Sequence, residues 1–126
     1  MTKTVLVIDD EADMREIARI GLEVCNGWQV LLAASGAEGI AMAAAEQPDA
    51  ILLDVMMPKM DGTATLEALQ KHPDTRSIPV ILLTAKVQAA DRQRYAHLKA
   101  AAVVTKPFDP LVLGDSICQI LGWQLS

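Results

Sequence analysis

Three short, unbroken apolar runs constrain this chain more than any other feature: Val5-Leu6-Val7-Ile8, Ala50-Ile51-Leu52-Leu53 and Val80-Ile81-Leu82-Leu83. A strand that is apolar at every position is buried on both faces, as in a parallel sheet covered by helices rather than a half-solvated hairpin. Each run is closed at its carboxyl end by polar residues: Asp9 and Asp10 after the first, Asp54 after the second, Thr84 after the third. Lys106 follows a fourth, shorter run, Val103-Val104-Thr105, and precedes Pro107-Phe108. Open α/β sheets place their chemistry at the carboxyl ends of their strands.

The segments between the runs carry helical periodicity. Met14, Ile17, Ala18, Gly21, Leu22 and Cys25 recur at three and four, which predicts a first helix. Glu11 and Asp13 suit the positive end of its dipole. Asn26-Gly27 stops it, and residues 28–33 read as the second strand. Ser35 with Glu38 forms a capping-box signature, and Ala37, Ile40, Ala41 and Ala44 are the expected buried face of a second helix, broken at Gln47-Pro48-Asp49. A short third helix carries Leu66 and Leu69 and ends at His72-Pro73. A fourth, over about 88–98, is the most polar, with Tyr95 and Leu98 its large apolar residues, and should pack lightly. The fifth strand covers about 101–104. Asp109-Pro110 reads as an N-cap and N1 proline opening the last helix through Ile117, Ile120 and Leu121. Five strands alternating with five helices imply a doubly wound parallel sheet.

At 126 residues the chain is expected to be one domain, with a core over about 4–121 and a short tail at 122–126 that reads as a finished end. No output module fits behind it. Only 3% of residues are aromatic although 52% are apolar, so the core must come from Val, Ile, Leu, Met and Ala. A net charge of −5 argues against nonspecific nucleic-acid binding, which needs basic patches, and leaves protein partners. Cys25 and Cys118 stand far apart without a Cys-x-x-Cys motif and read as core or near-core thiols in a reducing compartment. No leader or membrane-length apolar run is seen, so the chain reads as soluble and cytoplasmic.

Taken together, Asp9/Asp10, Asp54, Thr84 and Lys106-Pro107-Phe108 resemble the receiver domain of two-component response regulators, in the family's order and spacing from Thr4 to about Leu121. The resemblance implies a flavodoxin-like sheet of order 2-1-3-4-5. It implies phosphorylation of Asp54 by a partner histidine kinase, Mg²⁺ held by Asp10, Asp54 and the Met56 backbone carbonyl with Asp9 acting through water, and a cis Lys106-Pro107 peptide. Hard oxygen donors around converging carboxylates suit that ion. Three aspartates give −3, while Mg²⁺ and Lys106 give +3. The charge added on loading would fall to backbone N–H groups, the Thr84 hydroxyl and the Lys106 ammonium, which before loading is expected to pair with Asp54. Signalling would run through the fourth helix, fifth strand and last helix to a protein target, from a monomer or weak dimer. The chain would be a switch that phosphorylates and dephosphorylates itself, not a turnover enzyme.

Several residues depart from the family pattern. Val103 stands three before Lys106, where receivers usually carry an aromatic residue, so the signal is expected to pass through the loop after Thr84 and a shift of the fourth helix. Lys99 and Ala102 replace common glycines. Met56 and Lys86 flank the phosphoryl position and should set its lifetime, while the small Ala85 leaves room for it to enter. Met56, Met57 and Met60 read as gap fillers, His72 and His97 as surface residues, and Trp123 as packing beside the last helix. Alternative readings are a phosphorelay intermediate that hands the group to a histidine phosphotransfer protein and a phosphorylation-independent interaction domain. An aspartyl-nucleophile phosphatase would want Asp-x-Asp where Asp9-Asp10 are adjacent. A nucleotide binder would want a Gly/Ser/Thr phosphate loop where Asp9-Asp10-Glu11 repel phosphate.

Overall fold

A computed structural model describes residues 2–55, 62–84 and 100–123. Five strands form one parallel sheet: β1 (Thr4–Ile8), β2 (Gln29–Ala33), β3 (Ala50–Asp54), β4 (Val80–Thr84) and β5 (Ala102–Thr105), in the order β2-β1-β3-β4-β5. The described helices are α1 (Ala12–Asn26), α2 (Gly36–Glu46), α3 (Gly62–Lys71) and α4 (Leu113–Leu121). The expected helix over about 88–98, with Tyr95, His97 and Leu98, lies outside the described residues, so four helices are seen among them rather than five.

Strand alternation sorts the core into two halves. Leu6, Ile8, Ile51, Leu53 and Leu82 join Ala43 of α2 and Leu66 and Leu69 of α3 on one face. Val5, Val7, Leu52, Ile81 and Leu83 join Ala18 and Leu22 of α1 and Leu113, Ile117 and Cys118 of α4 on the other. Each fully buried Leu or Ile contributes about 1.5–3 kcal/mol relative to exposure, which is why the three continuous apolar runs occupy the sheet centre. Among the described residues the largest fully buried side chains are Leu and Ile. Among the described methionines, Met14 and Met42 are only half-buried. Trp28 precedes β2 rather than opening it, yet is buried and meets Trp123 edge-on at 5.5 Å, with Lys3 over the Trp123 ring.

Three local expectations are corrected. The buried face of α2 is Gly36, Gly39 and Ala43; Ala37 and Ala41 are exposed, and Ile40 and Ala44 half-buried. A Cβ on Gly39 would run into the Ile8 side chain, so close approach to β1 chooses the face. In α1, Ala18, Gly21 and Leu22 are buried but Ile17 is 40% exposed and Cys25 is exposed, so Cys25 is not a core thiol, whereas Cys118 is. The last helix starts at Leu113, not at Pro110. Asp109 makes a turn instead: its Oδ1 accepts the Leu111 N–H at 2.9 Å and its carbonyl accepts the Val112 N–H at 3.1 Å. The Ser35 cap holds, its hydroxyl accepting the Glu38 N–H. No helix among the described residues is long and apolar enough to cross a membrane.

Candidate functional site at the carboxyl edge of the sheet

Sheet register assembles the site. Ile8 pairs with Leu53, so the residues that follow them, Asp9 and Asp54, are neighbours at the carboxyl edge. Asp54 pairs with Leu83 and Thr84 with Thr105, which brings Thr84 and Lys106 to the same edge. Backbone bonds tie down the strand ends: Asp9 N–H to the Ala33 carbonyl, Val55 N–H to Leu83 and Lys106 N–H to Thr84 at 2.9 Å. Gly62 lets α3 begin against this edge, because a Cβ there would overlap the Val55 Cα and the Asp54 carbonyl oxygen.

Asp9, Asp54 and Thr84 are buried, and Asp10 is exposed. Lys106 Nζ lies 2.8 Å from Asp9 Oδ2, 3.5 Å from Asp54 Oδ2 and 4.0 Å from Glu11 Oε1. The expected pairing with Asp54 is therefore corrected: the lysine hydrogen-bonds Asp9 first, and Asp54 is its second acid. Burial alone pushes the Lys106 ammonium toward deprotonation, but the Asp9 hydrogen bond and the charges of Asp9, Asp54 and Glu11 together hold its pKa above the ordinary lysine value. The Lys106-Pro107 peptide is cis.

Two participants went unnoticed in the sequence. Arg15 donates from Nη1 to the Asp9 carbonyl at 2.7 Å and fixes the turn that carries both acids; a basic residue six positions on, in the next helix, was its available signal. Glu11, read as a dipole acid and as part of the phosphate-repelling run but not as a member of the site, caps α1 without a side-chain cap bond and places its carboxylate among the others. One carboxylate oxygen from each of Asp9, Asp10, Glu11 and Asp54 lies within 4.8 Å of the rest. Four hard oxygen donors so close, two of them buried, fit a small divalent cation such as Mg²⁺. The expected Met56 carbonyl ligand, like Met57, Met60, Ala85, Lys86 and Lys99, lies outside the described residues. Val103 is half-buried against the α2/α3 half of the core. His72 is exposed at the end of α3, away from the acids, and its Nδ1 accepts the Asp74 N–H.

A flavodoxin-like α/β domain with acids and one lysine gathered on the carboxyl edge of β1, β3 and β5 defines a narrow class. Residues 5–117 match the response regulator receiver domain. The chain belongs to that family. It is 40% identical to the probable transcriptional regulator ycf27 of Cyanophora paradoxa, over 94% of this chain and 48% of that protein. It is 42% identical to the response regulator PleD of Caulobacter vibrioides, over 99% of this chain and 27% of that protein. The chain thus spans half or less of the length of these relatives. Among solved structures, the chemotaxis protein CheY4 of Vibrio cholerae superposes with a TM-score of 0.88 at 28% identity, covering 95% of this chain and 99% of that one.

Proposed function

We propose that the chain is a phosphoacceptor switch in which Asp54 takes a phosphoryl group from a histidine kinase. The observation that carries this reading is the placement of buried Asp54 within reach of both an acid cluster and the Lys106 ammonium. An Asp54 carboxylate oxygen attacks phosphorus, a P–O bond forms as the P–N bond to the donor imidazole breaks, and the imidazole leaves as a neutral ring after gaining a proton. Asp10 and Asp54, with Asp9 through water, would hold Mg²⁺. When bound, the ion would neutralise charge on the transferring oxygens. Lys106 leaves Asp9 and Asp54 to meet the phosphoryl oxygens, and the Thr84 hydroxyl donates to one of them.

Hydrolysis by water returns Asp54 to its free form, so the protein cycles as a switch rather than turning over a substrate. With Val103 in place of an aromatic ring, the signal is assigned to the segment after Thr84 and is read by a protein target that also contacts β5 and α4. We place the protein in the cytoplasm, as a monomer or weak dimer without nucleic-acid contacts.

The test is intact mass after incubation with a small-molecule phosphodonor and Mg²⁺. One added phosphoryl group is expected on the parent chain, and none on Asp54→Asn or in chelator. No uptake by the parent while Mg²⁺ still binds would overturn the reading in favour of a phosphorylation-independent interaction domain.

A further inference from the structure

Resting on that reading, we infer that Glu11 is a positioning residue of the site, a fourth carboxylate that favours the cation and opposes the phosphoryl group. Its carboxylate stands among those of Asp9, Asp10 and Asp54 and 4.0 Å from the Lys106 ammonium. With three aspartates the site and its cation would balance. With Glu11 the acids sum to −4 against +3 from Mg²⁺ and Lys106; the Arg15 guanidinium on the Asp9 carbonyl is present with or without Glu11, so Glu11 makes the site one unit more negative than the aspartates alone would.

Two consequences follow, and they have opposite signs. The extra negative charge attracts a divalent cation. The same charge repels an incoming anion and competes with it for Lys106, which must swing from its acids to the phosphoryl oxygens. Glu11 is 64% exposed, so the effect is screened by water and salt and tunes the equilibrium rather than deciding it.

The experiment uses the full chain and two probes. Mg²⁺ alone is titrated calorimetrically, then beryllofluoride is titrated at saturating Mg²⁺, on the parent, Glu11→Gln and Glu11→Asp. Glu11→Gln should weaken Mg²⁺ and tighten beryllofluoride, each by about three- to ten-fold at low salt. Both shifts should shrink as salt is added. Glu11→Asp keeps the charge and should return both affinities toward the parent. Structural damage to the turn would weaken both probes together. Shifts of the same sign, or none in a parent that binds both probes, overturn the role of Glu11 and leave the phosphoacceptor reading standing. A parent that binds neither probe overturns the phosphoacceptor reading, and the role of Glu11 with it.

Discussion

Lys106→Met removes the ammonium that sits 2.8 Å from Asp9 and 3.5 Å from Asp54 while keeping most of the apolar stem. Two carboxylates that are 1% and 2% exposed then lose that counter-charge. At an effective dielectric of about 20, a unit pair at these separations is worth about 5 kcal/mol, and hydration lost on burial offsets much of it. Removing one partner of a buried ion pair costs about 3–5 kcal/mol. Exposed Asp10 and Glu11 open one side of this site to solvent, so the lower end applies, about 3 kcal/mol. For 126 residues with about 2.1 cal/mol/K of unfolding entropy each, Tm should fall by about 11 °C. The assay is thermal melting by circular dichroism, in chelator and in millimolar Mg²⁺. A hard cation supplies the missing charge among the same acids, so Mg²⁺ should raise the Tm of Lys106→Met more than that of the parent. Asp9→Asn in the variant background should recover part of the loss. A fall of under about 3 °C, or an equal Mg²⁺ shift in both proteins, refutes the assignment of Lys106 as counter-charge.

The same packing sets further outcomes. Gly62→Ala drives a Cβ into the Asp54 carbonyl and the Val55 backbone, so it should cost about 1–3 kcal/mol and slow phosphoryl uptake at Asp54; melting and intact mass at parent levels would contradict the close approach. Cys25 is exposed, whereas Cys118 is buried with its thiol pushed up by burial. Alkylation followed by mass spectrometry should therefore give one adduct in the native state and two in denaturant, and two adducts on native protein would contradict the assignment. Because the pKa of Lys106 is raised on folding, its contribution to stability is complete below the unfolded lysine value, about 10.4, and decays as pH climbs through the higher folded value. An NMR titration of its side-chain resonances should show a midpoint above the ordinary value, and a depressed midpoint would mean that burial outweighs the acids.

The strands were legible because burial on both faces leaves no choice of side: β1, β3 and β4 each carry four consecutive apolar residues and lie in the middle of the sheet. Composition and alternation reached only the α/β class, and strand order came from the family resemblance. The helices were less legible where apolar residues exceed what one face can bury. α1 buries Ala18, Gly21 and Leu22 yet leaves Ile17 and Ile20 outside, and periodicity cannot rank two apolar stripes. In α2 the alanines run around the helix, and steric closeness of Gly39 to Ile8, invisible to a hydropathy pattern, selected the face. Asp109-Pro110 carried the right residues for a cap, but Asp109 satisfied Leu111 and Val112 in a turn before the helix began.

At the site, the aspartates and the lysine were readable, but the parts of Glu11 and Arg15 and the lysine's pairing were not. Apolar strands ending in acids announce Asp9, Asp10 and Asp54, because a carboxylate can close a buried strand only where the sheet edge meets water or a cation. Which acid takes the lysine depends on where a long flexible side chain lands between two strands ninety-seven positions apart in sequence, and it lands on Asp9. That choice has a mechanistic consequence. The ammonium rests nearer Asp9 than Asp54, so it serves both acids at once. In the proposed cycle, loading of Asp54 would draw Lys106 off Asp9 as well, so the charge added at β3 would be felt at the end of β1 and the start of α1. Glu11 and Arg15, one at the α1 cap and the other bonded to the Asp9 carbonyl, stand where that redistribution would register.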